Sequence, residues 1–363
     1  MKISWLIPKP FLDQHSYILD TYILISKKLK DTRIDSANGE KNYYGNKIPS
    51  QGIRRIFDFI LSNTKYKNTF NYIWLKKNPV DILHVQYSGL FPHIIPLLKI
   101  KKRPKIVITL RGSDTYWRPW IDKKWMNLYK IYSNDIDAFV VQSADQKLYL
   151  NKFEVEEKKI WIIPSGSKSI ECSPKIIKKG QKIKIISVFR FIWEKNITGN
   201  LVFIKMLKKK YLDIEYSIYG SGNDLAQIHY LIDRLNIGDV VEIKDSIPNK
   251  ELKQKYLEYD YYLQLSISES LSMTVIEAQQ RGLIPIVSNI GGLKDLVQDG
   301  KTGIIKDFTD YENLVDDTIK LHKNPEAYNK ISRKCIENIK NNYTTEMEVK
   351  RLREMYENII GNS

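Results

Sequence analysis

SISESLSMTVIEAQQRGLIPIVSNIGGLKDLVQDGKTG, residues 266–303, is the stretch on which the fold turns. It follows an apolar run, YYLQL at 261–265, crosses a loop of small residues and enters a helical pattern near Ser272. Gly282 and Pro285 frame a tight return into a second apolar run, Ile284–Val287. Both runs are hydrophobic without alternation, as strands buried on both faces of a parallel sheet are. Strand, loop, helix and strand in that order make one turn of a doubly wound α/β domain.

The same alternation extends outward. Candidate strands are Ile3–Ile7, Ile82–Val85, Ile106–Leu110, Ala138–Gln142 and Ile160–Ile163 in the first half. In the second half they are Ile183–Val188, Ile214–Ile218, Val240–Ile243, Tyr261–Leu265 and Ile284–Val287. Helical patterns lie between them, for example over Gly199–Lys209 and Asp224–Leu235. The pattern restarts at Ile183 after a poorly periodic stretch, GSKSIECSPKIIKKGQK, which puts a domain boundary near 166–181. The expectation is a Rossmann-like domain over 1–166, a second over 182–342, and a helical tail over 343–363. In that tail Met347, Leu352, Met355, Tyr356 and Ile359 can share one face. Two such domains in tandem predict a cleft at the carboxyl ends of both sheets, where loops and helix N-termini converge.

Composition narrows the class. At 363 residues, two domains are the natural expectation, and 42% hydrophobic with 28% charged residues is ordinary for a globular chain. The apolar runs are too short to cross a bilayer, and MKISWLIPKPFLDQHSY, cut by Pro8 and Pro10, reads as a first strand rather than a signal peptide. Two cysteines, Cys172 and Cys335, make no disulfide framework and fit a reducing cytoplasm. The net charge is +16, and residues 1–165 hold 28 Lys and Arg against 15 Asp and Glu. A basic half suits an anionic partner surface such as nucleic acid, phospholipid headgroups or a phosphorylated acceptor. A Lys-rich composition throughout the chain accounts for it equally well.

Two carboxylates and two cations carry the chemistry. Glu269 lies in the loop of the opening segment, and Glu277 lies eight residues later, about two turns into the helix. Between them Ser270, Leu271, Ser272 and Met273 supply small or flexible residues and unpaired backbone N–H groups at a helix start, a setting suited to a diphosphate. A carboxylate on the following turns can accept hydrogen bonds from ribose hydroxyls. Glu269, ahead of the phosphates, is placed to bond hydroxyls of a transferred sugar. Upstream, IISVFRFIWEKNITG at 185–199 ends a strand in Arg190 with Lys195 five residues on. Two long cations at a strand's carboxyl end can clamp a diphosphate whose charge grows as it leaves. Taken singly, each of these four residues also reads as a solvated surface charge.

Glu269 and Glu277 with seven residues between them, followed by GLIPIV and Gly291–Gly292, resemble the signature of retaining glycosyltransferase family 4, of the GT-B fold. Arg190 and Lys195 resemble the basic positions of that family's S-V-G-R-L-x-x-x-K-G element, with Phe189 where a glycine usually stands. The resemblance implies a nucleotide-sugar donor, UDP- or GDP-linked, with Glu277 on the ribose and Glu269 on the donor sugar. It implies Arg190, Lys195 and Glu269 as the catalytic set and no cofactor or metal. YSIYGSGND resembles the family's glycine turn, with Gly220 and Gly222 near the donor, and VVEIKDSIPNKEL the strand and loop beside the base, with Lys244 and Ile247 in contact. Gly291 and Gly292 allow a close backbone approach to a ligand. On the acceptor side the resemblance points to Arg111, Asp114 and His84, with Arg111 where many members carry His; His84 reads equally well as a hydrogen-bonded strand residue. The family's glycine-rich loop after the first strand is absent, since PKPFLDQHSY has no glycine.

The implied reaction is retaining sugar transfer to a hydroxyl of a glycan or lipid-linked acceptor in bacterial cell-surface polysaccharide synthesis, by a cytoplasmic protein that docks on the inner face of the plasma membrane. The same fold also serves nucleotide-sugar epimerases, phosphorylases and non-catalytic sensors. No zinc-finger, helix-turn-helix or RNP pattern is present, so nucleic acid is not the expected partner.

Overall fold

Apolar β-branched runs of four to six residues, too short and too stiff for helices, condense into parallel strands flanked by longer amphipathic segments. A computed structural model describes residues 1–7, 16–29, 31–36 and 79–361 of the chain. It divides them into two compact units, one of Met1–Lys168 with Thr345–Ser363 and one of Ser169–Thr344.

The first unit is built on β1 (Ile3–Ile7), β2 (Thr32–Ser36), β3 (Ile82–Val85), β4 (Lys105–Thr109), β5 (Ala138–Val141) and β6 (Ile160–Ile162), in the order β2-β1-β3-β4-β5-β6. The second is built on β7 (Ile183–Val188), β8 (Ile214–Tyr219), β9 (Val241–Lys244), β10 (Tyr261–Gln264), β11 (Ile284–Ser288) and β12 (Ile304–Lys306), in the order β12-β11-β10-β7-β8-β9. Every pairing is parallel. Two Rossmann-like units of this kind make a GT-B fold. The ten strands read from the sequence are present with ends displaced by at most one residue. β2 and β12 are additional, and each is an outermost strand of its sheet.

The helix Thr345–Gly361 belongs to the first unit, where Val349, Leu352, Met355, Tyr356 and Ile359 are buried with Trp5, Val107 and Val140. Met347 is only half-buried, and Val349 takes the place expected for it on that face. Among the described residues no helix is long and apolar enough to cross a membrane. Most of the glycine-free stretch after β1, residues 8–15, lies outside the described residues.

Candidate functional site

In the second sheet β7 is the first strand in sequence yet sits in the interior, with β8 on one side and β10 on the other. Connections therefore diverge to opposite faces at the β7/β10 boundary, and such a switch point leaves a crevice at the carboxyl ends of the two strands. Tyr261 and Tyr262 pair with Ile185 and Ile186, so the chain leaves β7 toward Arg190 and Lys195 beside the place where it leaves β10 toward Glu269.

The two loops are laced together. Asn196, at φ 46° in the left-handed region, caps the helix Ile197–Lys210 by accepting from the Gly199 N–H at 3.2 Å. Its Nδ2 donates to the Leu265 carbonyl at 2.9 Å. The buried Asn200 donates to the Lys195 carbonyl at 2.9 Å and accepts from the Leu265 N–H at 3.0 Å. The Ile267 N–H donates to the Glu194 carbonyl at 2.9 Å. Across this seam Lys195 and Glu269 form an ion pair, with side chains 16% and 12% exposed. The other partner of Glu269 is Gln264, whose Nε2 donates to the same carboxylate oxygen at 2.8 Å.

Ser272 starts the helix Met273–Gln279, its hydroxyl accepting from the Val275 N–H at 3.3 Å. Among the described residues the main-chain N–H groups of Leu271, Ser272 and Met273 have no acceptor. Leu271 and Met273 are half-buried against the core, as is Ile247, and Ser270 is buried. Glu277 is 8% exposed and accepts from Asn249 Nδ2 at 3.1 Å. Burial pushes its carboxyl above the usual range, against the pull of Asn249, Lys253 and Arg281. Lys244 pairs with Glu242 at 2.9 Å and lies 5.6 Å from the centre of the Tyr219 ring. Arg190 is exposed, with no hydrogen bond or ion pair at its side chain among the described residues.

Gly220, Gly222 and Gly291 each make a close approach to the protein's own backbone. A Cβ at Gly220 would stand 2.0 Å from the Phe189 carbonyl oxygen, and one at Gly222 would stand 2.4 Å from that of Phe191. They let the turn after β8 close on the turn after β7, bonded from Phe191 N–H to the Ser221 carbonyl at 2.8 Å. Gly291, at φ +47°, leaves only 1.8 Å between a Cβ and the Glu269 carbonyl oxygen, and Gly292 N–H donates to that same oxygen at 3.0 Å. Their effect is to hold Glu269.

In the first unit, the expected acceptor residues are already engaged. His84 is a core residue: it is 0% exposed, Tyr356 and Gln86 bond its Nδ1 at 2.6 and 3.1 Å, and Thr109 bonds its Nε2 at 2.7 Å. Burial and the nearby Arg111 cation push its pKa down to about 3, so the ring is neutral. The Gln86 amide presents its oxygen to Arg111 at 3.2 Å, so its N–H faces Nδ1 and the ring proton sits on Nε2. The Asp114 carboxylate is buried and accepts from the backbone of Arg111 and Gly112 and from Ser88, which makes it a clamp on its own turn rather than an exposed acceptor contact. Arg111 is half-buried, donating to Ser165 at 2.7 Å and lying 5.6 Å from the centre of the Tyr17 ring.

Residues 169–341 match the family described as glycosyl transferases group 1, and residues 46–167 the one described as glycosyltransferase family 4. Together the two matches support a group 1 glycosyltransferase of the GT-B type. This glycosyltransferase is 26% identical over 262 residues to an uncharacterized 41.2 kDa protein in the cps region of Klebsiella pneumoniae, covering 67% of this chain and 69% of that one. It is 24% identical over 315 residues to the Escherichia coli UDP-Gal:alpha-D-GlcNAc-diphosphoundecaprenol alpha-1,3-galactosyltransferase, covering 80% of this chain and 79% of that one. Other relatives are much longer: the chain spans 36% of the GtfA subunit of a Streptococcus parasanguinis UDP-N-acetylglucosamine--peptide N-acetylglucosaminyltransferase, at 26% identity over 189 residues, half of this chain. Among solved structures, sucrose-phosphate synthase from Thermosynechococcus elongatus superposes over the full length of both chains with a TM-score of 0.77 at 15% identity, a likeness of fold. The group 1 match takes in Arg190, Lys195, Glu269 and Glu277 of the glycosyltransferase.

Gln264, Asn196 and Asn200 were not flagged in the sequence. A buried amide at a strand end carries no motif, and only the loops it joins reveal its use.

Proposed function

We propose that this glycosyltransferase moves a sugar from a UDP- or GDP-linked donor to a hydroxyl of a glycan or lipid-linked acceptor, with retention and without a metal ion, in bacterial cell-surface polysaccharide synthesis. The observation that carries the reading is the seam at the β7/β10 switch point, where Lys195 meets Glu269 beside the helix that holds Glu277. In this reading the unpaired N–H groups of residues 271–273 and the cations of Arg190 and Lys195 hold the diphosphate and stabilise its growing charge as the glycosidic bond breaks. Glu269 accepts from hydroxyls of the donor sugar. Glu277 accepts from the ribose, and Lys244 and Ile247 flank the base. No protein carboxylate serves as nucleophile; the acceptor attacks from the face the diphosphate leaves, and a donor phosphate oxygen takes its proton. Arg111, in the first unit, binds the acceptor. The basic N-terminal half docks on anionic lipid at the inner face of the plasma membrane. The printed names of the relatives support the substrate classes: one acts on UDP-Gal and a diphosphoundecaprenol-linked sugar, and one is encoded in a cps region.

The test begins with thermal unfolding in UDP-N-acetylglucosamine, UDP-galactose, UDP-glucose and GDP-mannose. A donor present at about 100 times its Kd stabilises the native state by about 2.7 kcal/mol. Turnover of that donor with simple sugar acceptors, followed by NMR of the product anomer, separates retention from inversion, and excess EDTA leaves the rate unchanged. No stabilisation by any nucleotide sugar, or transfer abolished by EDTA, overturns the reading. Sedimentation with phosphatidylglycerol vesicles but not with neutral vesicles is the expected membrane result.

A further inference from the structure

We propose that Gln264, outside both motifs, is a positioning residue that aims Glu269; this rests on the donor site assigned above. Gln264 is the last residue of β10 and is 0% exposed. A buried primary amide is costly unless its two N–H donors and its oxygen are matched. Here all of them are. Nε2 donates to the Glu269 carboxylate at 2.8 Å and to Ser266 Oγ at 3.0 Å. Oε1 accepts from Ser272 Oγ at 2.8 Å, and the Tyr262 hydroxyl lies 3.3 Å from it. The amide cannot be turned round, because its oxygen would then face a carboxylate that only accepts.

Each partner ties Gln264 to a different part of the site. Glu269 is the carboxylate of the Lys195 pair. Ser272 caps the helix Met273–Gln279. Ser266 receives the Ser288 hydroxyl on its carbonyl at 2.5 Å, which joins the end of β11. Tyr262, whose hydroxyl lies beside Oε1, donates to the Val188 carbonyl at 2.9 Å, two residues before Arg190. Gln264 thus acts as a hub where the ends of three neighbouring strands meet, and it shares one Glu269 oxygen with Lys195. With that oxygen held from two sides, the carboxylate has one orientation in which to meet a sugar hydroxyl.

The test uses full-length protein, UDP-N-acetylglucosamine and the other three donors named above, with UDP or GDP release as readout. Gln264→Met keeps the length of the side chain and removes all three bonds. It lowers kcat by about tenfold to a hundredfold, the span that losing a hydrogen bond to a charged group covers, and changes donor KM by less than about threefold. In a Glu269→Gln background the same change lowers kcat by less than about threefold, because its effect runs through Glu269. Gln264→Glu supplies the second arm: its ionised carboxylate opposes Glu269, while protonation restores a donor, so its kcat relative to wild type rises as pH falls from about 8 to about 5.5. A wild-type kcat for Gln264→Met, an undiminished effect in the Glu269→Gln background, or a flat relative pH profile for Gln264→Glu overturns the proposal. Should Gln264→Met fail to fold, the pH profile of Gln264→Glu decides alone. Wild-type activity in Glu269→Gln itself sinks the donor-site reading instead.

Discussion

Arg190 and Glu277 stand at opposite extremes of solvation, and their variants should fail in opposite ways. Arg190 is exposed and unpaired among the described residues, so Arg190→Ala leaves the fold alone and removes charge stabilisation that matters as the diphosphate departs. Turnover falls roughly tenfold or more with a small change in donor KM. Glu277 is buried, and Glu277→Ala raises the Kd for donor, measurable by calorimetry, before it touches the chemical step. Because burial raises its carboxyl pKa, its charged form is lost at a higher pH than that of a solvated glutamate, and donor affinity weakens on the acid side; Glu277→Gln flattens that dependence. At this scale the spacing of two glutamates and two cations singled out Lys195 and Glu269, which meet at the β7/β10 seam, because charge at strand ends is a local property. Gly220, Gly222 and Gly291 show the converse: a glycine signals a close approach without saying to what, and the carbonyls of Phe189, Phe191 and Glu269 stand against these three.

At the level of elements, the helix Thr345–Gly361 is held to the first sheet by a polar pin as well as by apolar contact. The Tyr356 hydroxyl accepts from Trp5 Nε1 at 3.1 Å and donates to His84 Nδ1, all of it buried. Tyr356→Phe removes the acceptor of the indole N–H while Gln86 still serves His84, and should destabilise the protein by about 1–3 kcal/mol in urea unfolding. Activity in the absence of denaturant stays near wild type. Ten strands were legible in the sequence because each is a mostly apolar run, the interior ones buried on both faces, and β6 and β9 were readable although they too end their sheets. β2, TRIDS, and β12, IIK, were not, because an edge strand is short or mixed and its run of backbone partners ends there. His84 belongs to the same lesson, since a histidine in ILHV is a functional candidate until its three partners, from three other positions, are seen.

Across the whole molecule, four buried carboxyls among the described residues share one direction: Asp114, Asp260, Glu277 and Glu348 all have pKa values raised by burial. A carboxyl whose folded pKa exceeds its unfolded one binds its proton more tightly in the native state. Its stabilising effect is therefore complete below about 4.3 and is lost as pH rises through the folded value. Glu348 is the cleanest to isolate, as one of its oxygens accepts from Thr21 Oγ1 at 2.7 Å and from the Gly166 N–H at 2.9 Å, bonds that an amide oxygen can keep. Glu348→Gln should lose less stability than wild type as pH rises from about 4.5 to about 7, read from urea midpoints at several pH values. The first unit is also discontinuous along the chain, with Thr345–Ser363 returning to it after the whole of Ser169–Thr344. On a translating ribosome, the lobe whose strands emerge first is therefore the last to be finished. Until the closing helix is out, Trp5 and Val107 lack the cover of Tyr356 and its neighbours, so nascent chains stalled before residue 345 should be a substrate for chaperones and proteases in a way that released chains are not.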